Sequence, residues 1–166
     1  ATKTKKQSVR LGLGELTDKN VGQLKLINSV IFPVTYNEKF YKDLFQQPEE
    51  FTRFAYYGDT AVGAVCCRSE KDEKGKRTKL YIMTLGVLSP YRHVGIGTKL
   101  LKYVLEEVCP KHKVKTIYLH VQVNNEAAIQ FYKNFGFSVK EEIPDYYKRI
   151  QPSACYVLAK SLDEKD

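Results

Sequence analysis

Apolar residues recur along this chain with two periods, and the switches between them mark out its elements. Residues 11–16 alternate as a short first strand. Val21, Leu24, Ile27 and Ile31 fall three or four apart, which predicts one apolar helix face with Thr17 or Asp18 as its cap. Phe32-Pro33 ends that helix, because a residue before proline avoids the α region. Asn37 caps a second, shorter helix carrying Phe40, Tyr41, Leu44 and Phe45. Residues 51–57 and 61–68 are β-rich runs around Gly58-Asp59, the signature of a hairpin. The polar stretch 69–79 predicts a loop, and the run 80–87 predicts the next strand.

The strongest helical signal spans 98–108, with Leu100, Leu101, Val104, Leu105 and Val108 on one face and Pro110 as its stop. Residues 116–123 alternate: Ile117, Leu119, Val121 and Val123 share one face, and Tyr118, His120 and Gln122 share the other. Asn124 or Asn125 then caps a helix holding Ala127, Ala128, Phe131 and Tyr132. Gly136 ends it as the residue after the cap. Residues 137–143 and 154–160 read as the last strands. A βαβ passage set among hairpins predicts an α/β (α+β) sandwich on a mixed, mostly antiparallel sheet. One domain over 9–162 is expected, between polar tails at 1–8 and 163–166.

Composition narrows this only slightly. A chain of 166 residues with 43% hydrophobic residues can build one core of ordinary size. Lysine and arginine number 27 against 19 acids, and the surplus of +8 suits an anionic partner such as nucleic acid, a phosphorylated cofactor or an acidic surface. Cys66, Cys67, Cys109 and Cys155 include no Cys-x-x-Cys pair, so neither a zinc site nor a disulfide framework is expected, and no metal is called for. Cys66 and Cys67, in a strand-like run, read as small hydrophobes, and the compartment as reducing. No secretory core or membrane-length apolar run is found. A cytoplasmic location is the expectation, extended to the nucleus by the basic N-terminus.

The candidate chemistry starts at Tyr91-Arg92-His93-Val94-Gly95-Ile96-Gly97-Thr98, between a strand and an amphipathic helix. The first turn of a helix has unpaired N–H groups and the positive end of the dipole. Glycines let that backbone close on an anion. A nucleotide-binding P-loop would need Lys directly after the last glycine, and Thr98 stands there; a dinucleotide fingerprint would need a third glycine where Leu100 stands. A second pattern, Asn125-x-x-Ala128-x-x-Phe131-Tyr132-x-x-x-Gly136-Phe137, places a tyrosine hydroxyl that can hand a proton to a leaving thiolate.

Together these patterns resemble the GNAT acetyltransferase superfamily. Phe32-Pro33-Val34-Thr35-Tyr36, Tyr81-Ile82-Met83-Thr84-Leu85-Gly86, Leu119-His120-Val121-Gln122 and Tyr146-Tyr147-Lys148-Arg149-Ile150 narrow the likeness to the San-type N-terminal acetyltransferases, the NatE catalytic subunits. The resemblance implies a seven-stranded sheet flanked by about four helices, with central strands splayed around acetyl-CoA as co-substrate. It implies direct transfer of acetyl to the α-amine of protein N-termini, those beginning with Met and a hydrophobic residue. Tyr81 and His120 would serve the base, with histidine the better matched to neutral pH, and Tyr132 would protonate the thiolate. Leu85, Gly86 and Val87 would offer oxyanion donors from a bulged strand. Arg92, His93, Val94, Gly95, Ile96, Gly97 and Thr98 would hold the pyrophosphate, with Asn125 and Tyr132 also on the cofactor side. Phe32, Pro33, Val34, Tyr36, Met83, Tyr146, Tyr147 and Ile150 would receive the peptide.

Partners implied are the NatA catalytic and auxiliary subunits and the ribosome, with no membrane and no specific nucleic-acid recognition. Two other readings stay open on the residues: a lysine Nε-acetyltransferase of the same fold, and a largely non-catalytic subunit. No acid lies in 80–87 to serve as the strong base that a lysine amine needs. The chain departs from the family pattern at His93, at Thr35 and in the long charged segment 70–79.

Overall fold

The computed structural model describes residues 9–162, so the tails expected at 1–8 and 163–166 lie outside the described residues. The strands are β1 (Leu11–Glu15), β2 (Thr52–Tyr57), β3 (Thr60–Glu70), β4 (Lys79–Val87), β5 (Thr116–Gln122), β6 (Ser138–Ile143) and β7 (Cys155–Ser161). They form one sheet of seven in the order β1-β2-β3-β4-β5-β7-β6. Only β4 and β5 run parallel; every other neighbouring pair is antiparallel.

Helices cover both faces. Leu24 and Ile27 of α1 (Val21–Ile31) and Tyr41 and Leu44 of α2 (Glu38–Leu44) pack with Phe54, Ala64 and Cys66. Ile96, Leu100 and Leu101 of α3 (Ile96–Tyr103) and Tyr132 of α5 (Glu126–Asn134) pack with Val65, Cys67, Leu80, Ile117 and Leu158. The adjacent cysteines thus enter opposite cores, where both behave as the small hydrophobes expected, and Cys109 and Cys155 are buried as well.

Two caps form as the sequence predicts. The Asn37 side chain accepts the Phe40 N–H at 3.0 Å, and Asn125, rather than Asn124, accepts the Ala128 N–H at 3.2 Å. Gly136 (φ +89°) closes α5: its N–H reaches the Lys133 carbonyl, the Phe137 N–H reaches the Tyr132 carbonyl, and the Tyr132 and Phe137 rings meet at 5.4 Å.

Other boundaries differ. Neither Thr17 nor Asp18 caps α1. Residues 17–20 form a turn, and Asn20 turns back toward β1, accepting the Thr17 N–H and donating to the Glu15 carbonyl. Helix α2 ends at Leu44, leaving Phe45 as its cap. Helix α3 starts at Ile96, two residues early, because Gly95 in the left-handed region supplies the entry by backbone conformation. Pro110 does not stop the helix. The turn Val104–Val108 widens to π geometry, and Pro110 enters near the start of the last segment, α4 (Cys109–Lys111), where its missing N–H costs nothing. Strand β3 also runs to Glu70, which shortens the predicted loop to 71–78.

Two features of the sheet create a site. Strands β4 and β5 pair only through Lys79↔Thr116, Leu80↔Ile117 and Tyr81↔Tyr118. Beyond that point β4 stays with β3 and β5 with β7, so the sheet splits. A bulge in β4 falls at Met83, since Cys66 pairs with Thr84 and Cys67 with Ile82. It reverses the facing of the strand: Leu80 and Ile82 enter the α3 side before it, and Leu85 and Val87 enter that side after it. The bulge was expected at 85–87, where β4 is in register with β3.

Candidate active site

The split between β4 and β5 opens a cleft of about 610 Å³. Tyr81, His120 and Tyr132 all line it. So do all eight residues assigned to the peptide: Phe32, Pro33, Val34 and Tyr36 after α1, Met83 on the bulge, and Tyr146, Tyr147 and Ile150 on the β6–β7 loop. Leu85 and Asn125 border the same space.

At its centre the Tyr81 hydroxyl lies 2.7 Å from Nδ1 of His120. Burial pushes the Tyr81 pKa far above its ordinary value, with the neighbouring Tyr146 hydroxyl adding to the effect and Arg68 opposing it. Burial also lowers the His120 pKa, against the opposing charges of Glu70 and Glu141. Near neutral pH the pair is therefore a protonated tyrosine and a neutral imidazole joined by one hydrogen bond. Parallel pairing of Tyr81 with Tyr118 holds this geometry, because it fixes the two strands at their last point of contact.

Aromatic rings frame the pair. Tyr118 packs on Tyr81 at 4.8 Å, and the Arg68 guanidinium sits 5.1 Å from the Tyr81 ring centre. Tyr146 stacks on His120 at 4.8 Å with 17° between planes, and Tyr147 meets Tyr146 edge-on at 5.0 Å. Main-chain anchors bring these two tyrosines inward. The Tyr147 N–H donates to the Ser153 carbonyl at 2.8 Å, and Gln122 Nε2 donates to the Pro152 carbonyl at 2.8 Å. Asp145 takes a left-handed conformation (φ +53°) and accepts from the Ser153 hydroxyl. Pro144-Asp145 thus turns the chain, and Tyr146 keeps 39% exposure at the mouth.

Tyr132 is 5% exposed, and burial raises its pKa well above the ordinary tyrosine value. It keeps its proton at neutral pH and can donate to a sulfur or oxygen in the cleft.

The glycine-rich run forms a distinct cradle beside the cleft. His93 (φ +67°) and Gly95 (φ +89°) curl the chain so that the first intrahelical bond of α3 is Lys99 N–H to Gly95 carbonyl. The N–H groups of Ile96, Gly97 and Thr98 lie in the uncapped first turn, which has no acidic side chain. This suits a phosphate group. Arg92 turns partly away: its Nε donates to the Val87 carbonyl at 2.9 Å, tying the cradle to the end of β4. Gly86, Val87 and residues 92–98 are not among the cleft-lining residues. Gly86 instead lies beneath Ile31 and Phe32, whose atoms would meet an added Cβ at 2.8 and 2.9 Å.

Several cleft residues had no site role assigned from the sequence: Phe40, Arg68, Thr84, Gln122 and Lys148. Arg68 carried a signal, as a charged residue closing an otherwise apolar run in β3. The others become cleft residues only through long-range pairing. His112, to which the sequence assigns no role, is half-buried between Glu50 (2.6 Å) and the Phe51 ring.

A cleft between parting central strands, beside a helix start built for phosphate, defines an acetyltransferase. Residues 22–137 match the Acetyltransferase (GNAT) family, and the chain belongs to that family. It is 54% identical over 154 residues to N-alpha-acetyltransferase 50 of Danio rerio, across 92% of this chain and 89% of that protein. It is 49% identical to the probable N-acetyltransferase san of Drosophila melanogaster, across 90% of this chain and 80% of that protein. Among solved structures, Arabidopsis thaliana Naa50 in complex with the bisubstrate analogue CoA-Ac-MVNAL superposes with a TM-score of 0.85 at 52% identity, covering 93% of this chain and 100% of that one. The San-type resemblance, the GNAT fold, the enzyme class and the acetyl-CoA co-substrate are borne out.

Proposed function

We propose that this protein acetylates the α-amine of protein N-termini that begin with Met and a hydrophobic residue. The observation that carries this reading is the placement of the Tyr81–His120 pair at the floor of a cleft walled by Phe32, Pro33, Val34 and Ile150. An apolar wall suits a methionine side chain, and the hydroxyls of Tyr36, Tyr146 and Tyr147 suit the peptide backbone. The Met-Val start of the analogue bound to the Arabidopsis relative supports the same acceptor.

Acetyl-CoA supplies the thioester whose carbonyl carbon the amine attacks. The α-amine has an ordinary pKa near 8, so a sizeable minority is neutral at pH 7 and the base has little to do. Tyr81 accepts the departing amine proton, directly or through water, as its own proton passes to Nδ1 of His120. Tyr132 donates a proton toward the leaving sulfur. Leu85 on the open edge of β4 offers backbone polar groups to the developing negative charge. The N–H groups of Ile96, Gly97 and Thr98 hold the pyrophosphate, while Arg92 braces them and adds charge. Most of the rate comes from holding amine and carbonyl in reach of each other.

The test is an assay with acetyl-CoA and three peptides: Met-Leu with a free N-terminus, Ser-Ala with a free N-terminus, and a blocked peptide with an internal lysine. Rapid CoA release with the first alone is expected. No release with it, or faster release with the lysine peptide, overturns the reading.

The NatA catalytic and auxiliary subunits and the ribosome are the proposed partners, in the cytoplasm and nucleus. The San-type likeness and the +8 charge support this assignment. Co-purification of NatA subunits and ribosomes with the tagged chain is expected, and their absence at low salt would remove it.

A further inference from the structure

Eight of the 27 lysine and arginine side chains come from two short stretches, 71–79 and 111–115. The fold sets these stretches side by side. Lys115 N–H donates to the Thr78 carbonyl at 2.7 Å, and Lys79 is in register with Thr116. Lys71, Lys74, Lys76, Arg77, Lys113 and Lys115 are all exposed. Among the described residues none of these six has a carboxylate partner within 4.0 Å.

The loop is a built presentation of charge. Asp72 holds it together: Oδ1 accepts the N–H groups of Lys74 and Lys76 at 2.9 and 3.0 Å, and Oδ2 accepts the Thr78 hydroxyl at 2.7 Å. The Asp72 N–H closes the turn on the Lys76 carbonyl at 2.7 Å, and Gly75 supplies the left-handed corner (φ +80°). A carboxylate whose oxygens are engaged by backbone and hydroxyl does not pair with the lysines it positions. Glu73 is the one other acid in 71–79. Lys111 and Lys113 also complement a helix C-terminus, and Lys111 pairs with Glu50 at 3.0 Å. The loop lysines have no such second task.

We propose that this basic face binds the phosphodiester backbone of double-helical RNA without reading its sequence. Lysines are point charges suited to phosphate, and the face carries no Asn or Gln and only one Arg to read base edges. Stretch 71–79 holds no aliphatic or aromatic residue, and Val114 is buried, so the face has nothing to insert into a bilayer and no aromatic anchor for a protein partner. Stretch 71–79 also offers no aromatic ring on which the unpaired bases of a single strand could stack. This reading concerns a surface away from the cleft and does not depend on the acceptor peptide, so the two fail separately.

The experiment measures binding of a labelled RNA duplex by anisotropy across a salt series, with CoA saturating so that the cradle at α3 is filled. Parent protein is compared with Lys74→Glu/Lys76→Glu/Arg77→Glu and with a control, Lys19→Glu/Lys39→Glu/Lys42→Glu, that makes the same charge change elsewhere. The loop variant is expected to lose about two to three units of log–log salt slope and roughly ten- to hundred-fold in affinity, while the control loses much less. Its peptide acetylation is expected to equal the parent's, which shows that it is folded. Equal losses in both variants, an unchanged slope in the loop variant, equal binding to a DNA duplex, or binding to phosphatidylserine vesicles in place of RNA would each overturn the proposal.

Discussion

The hydroxyl of Tyr81 and Nδ1 of His120 stand 2.7 Å apart across two strands that part company one residue later. The last shared register of β4 and β5 thus carries the proton-handling pair, and the opening they make receives the substrates. Burial alone would make either residue a poor base: it raises the tyrosine pKa and lowers that of the histidine. Joined, they give the amine proton a short route to the imidazole, whose positive charge the Glu70 and Glu141 carboxylates offset.

Tyr81→Phe and His120→Ala are each expected to lower kcat by about 10²-fold, within the usual range for general acid–base groups. Because the two act on one proton, the double variant is expected to be no slower than the worse single variant by more than a few-fold. Acetyl-CoA affinity, measured by calorimetry, is expected to stay unchanged in all three. Full multiplicative losses would show that the residues act separately.

Tyr146 covers His120 by stacking at 4.8 Å and is itself partly open to solvent. Tyr146→Ala admits water to the imidazole and relieves the desolvation that depresses its pKa. The His120 ring pKa, followed by NMR, is expected to rise toward the ordinary value near 6.5. KM for the peptide is expected to increase several-fold as the wall of the cleft is lost.

Much of this site was legible in the sequence because its parts rest on local rules. Asn37, Asn125 and Gly136 mark helix ends through their own side chains or their lack of one, and alternation in β5 put His120 on the face of Tyr118. What escaped depends on distant partners or on backbone conformation. Asn20 precedes α1, yet its side chain serves β1. Helix α3 begins two residues early because Gly95 turns the backbone, and no capping side chain announces it. Pro110 is tolerated only because a π turn precedes it. The bulge at Met83 shows itself only against β3. Arg68 joins the site through its position over Tyr81, a residue of the neighbouring strand.

Glu50 ties the turn before β2 to the end of the long helix. Hydrogen bonds from His112 foremost, then its own backbone and Lys111, lower its pKa from 4.5 to about 2. A carboxylate with a depressed folded pKa adds stability above its unfolded pKa and loses it as pH falls through the folded value. The window is therefore pH 4.5 down to about 2. Taken at face value the shift is worth ~3 kcal/mol, and partial exposure reduces that to about 1 kcal/mol. Glu50→Gln is expected to melt at lower temperature than the parent at pH 6 and to converge on it near pH 2. A constant difference in Tm across that range would assign the effect to packing.

Gly86 decides how close the acceptor wall stands to β4. It was expected to serve the cofactor side, but its Cα faces Ile31 and Phe32, and a methyl there would press on their side chains at 2.8 and 2.9 Å. Both distances are shorter than Cβ contacts normally allow, so one side chain must move. Ile31 belongs to α1 and packs with the α1/α2 core, whereas Phe32 lies past the helix end at the border of the cleft. Phe32 is therefore the side chain that yields. Gly86→Ala is expected to raise KM for a Met-Leu peptide about ten-fold, consistent with the ~1–3 kcal/mol cost of overpacking falling on the pocket. KM for acetyl-CoA is expected to change less than two-fold, because the α3 cradle is untouched. Phe32→Leu in the Gly86→Ala background makes room for the methyl and is expected to recover part of the loss. If the acetyl-CoA KM rises instead, Gly86 belongs to the donor side after all.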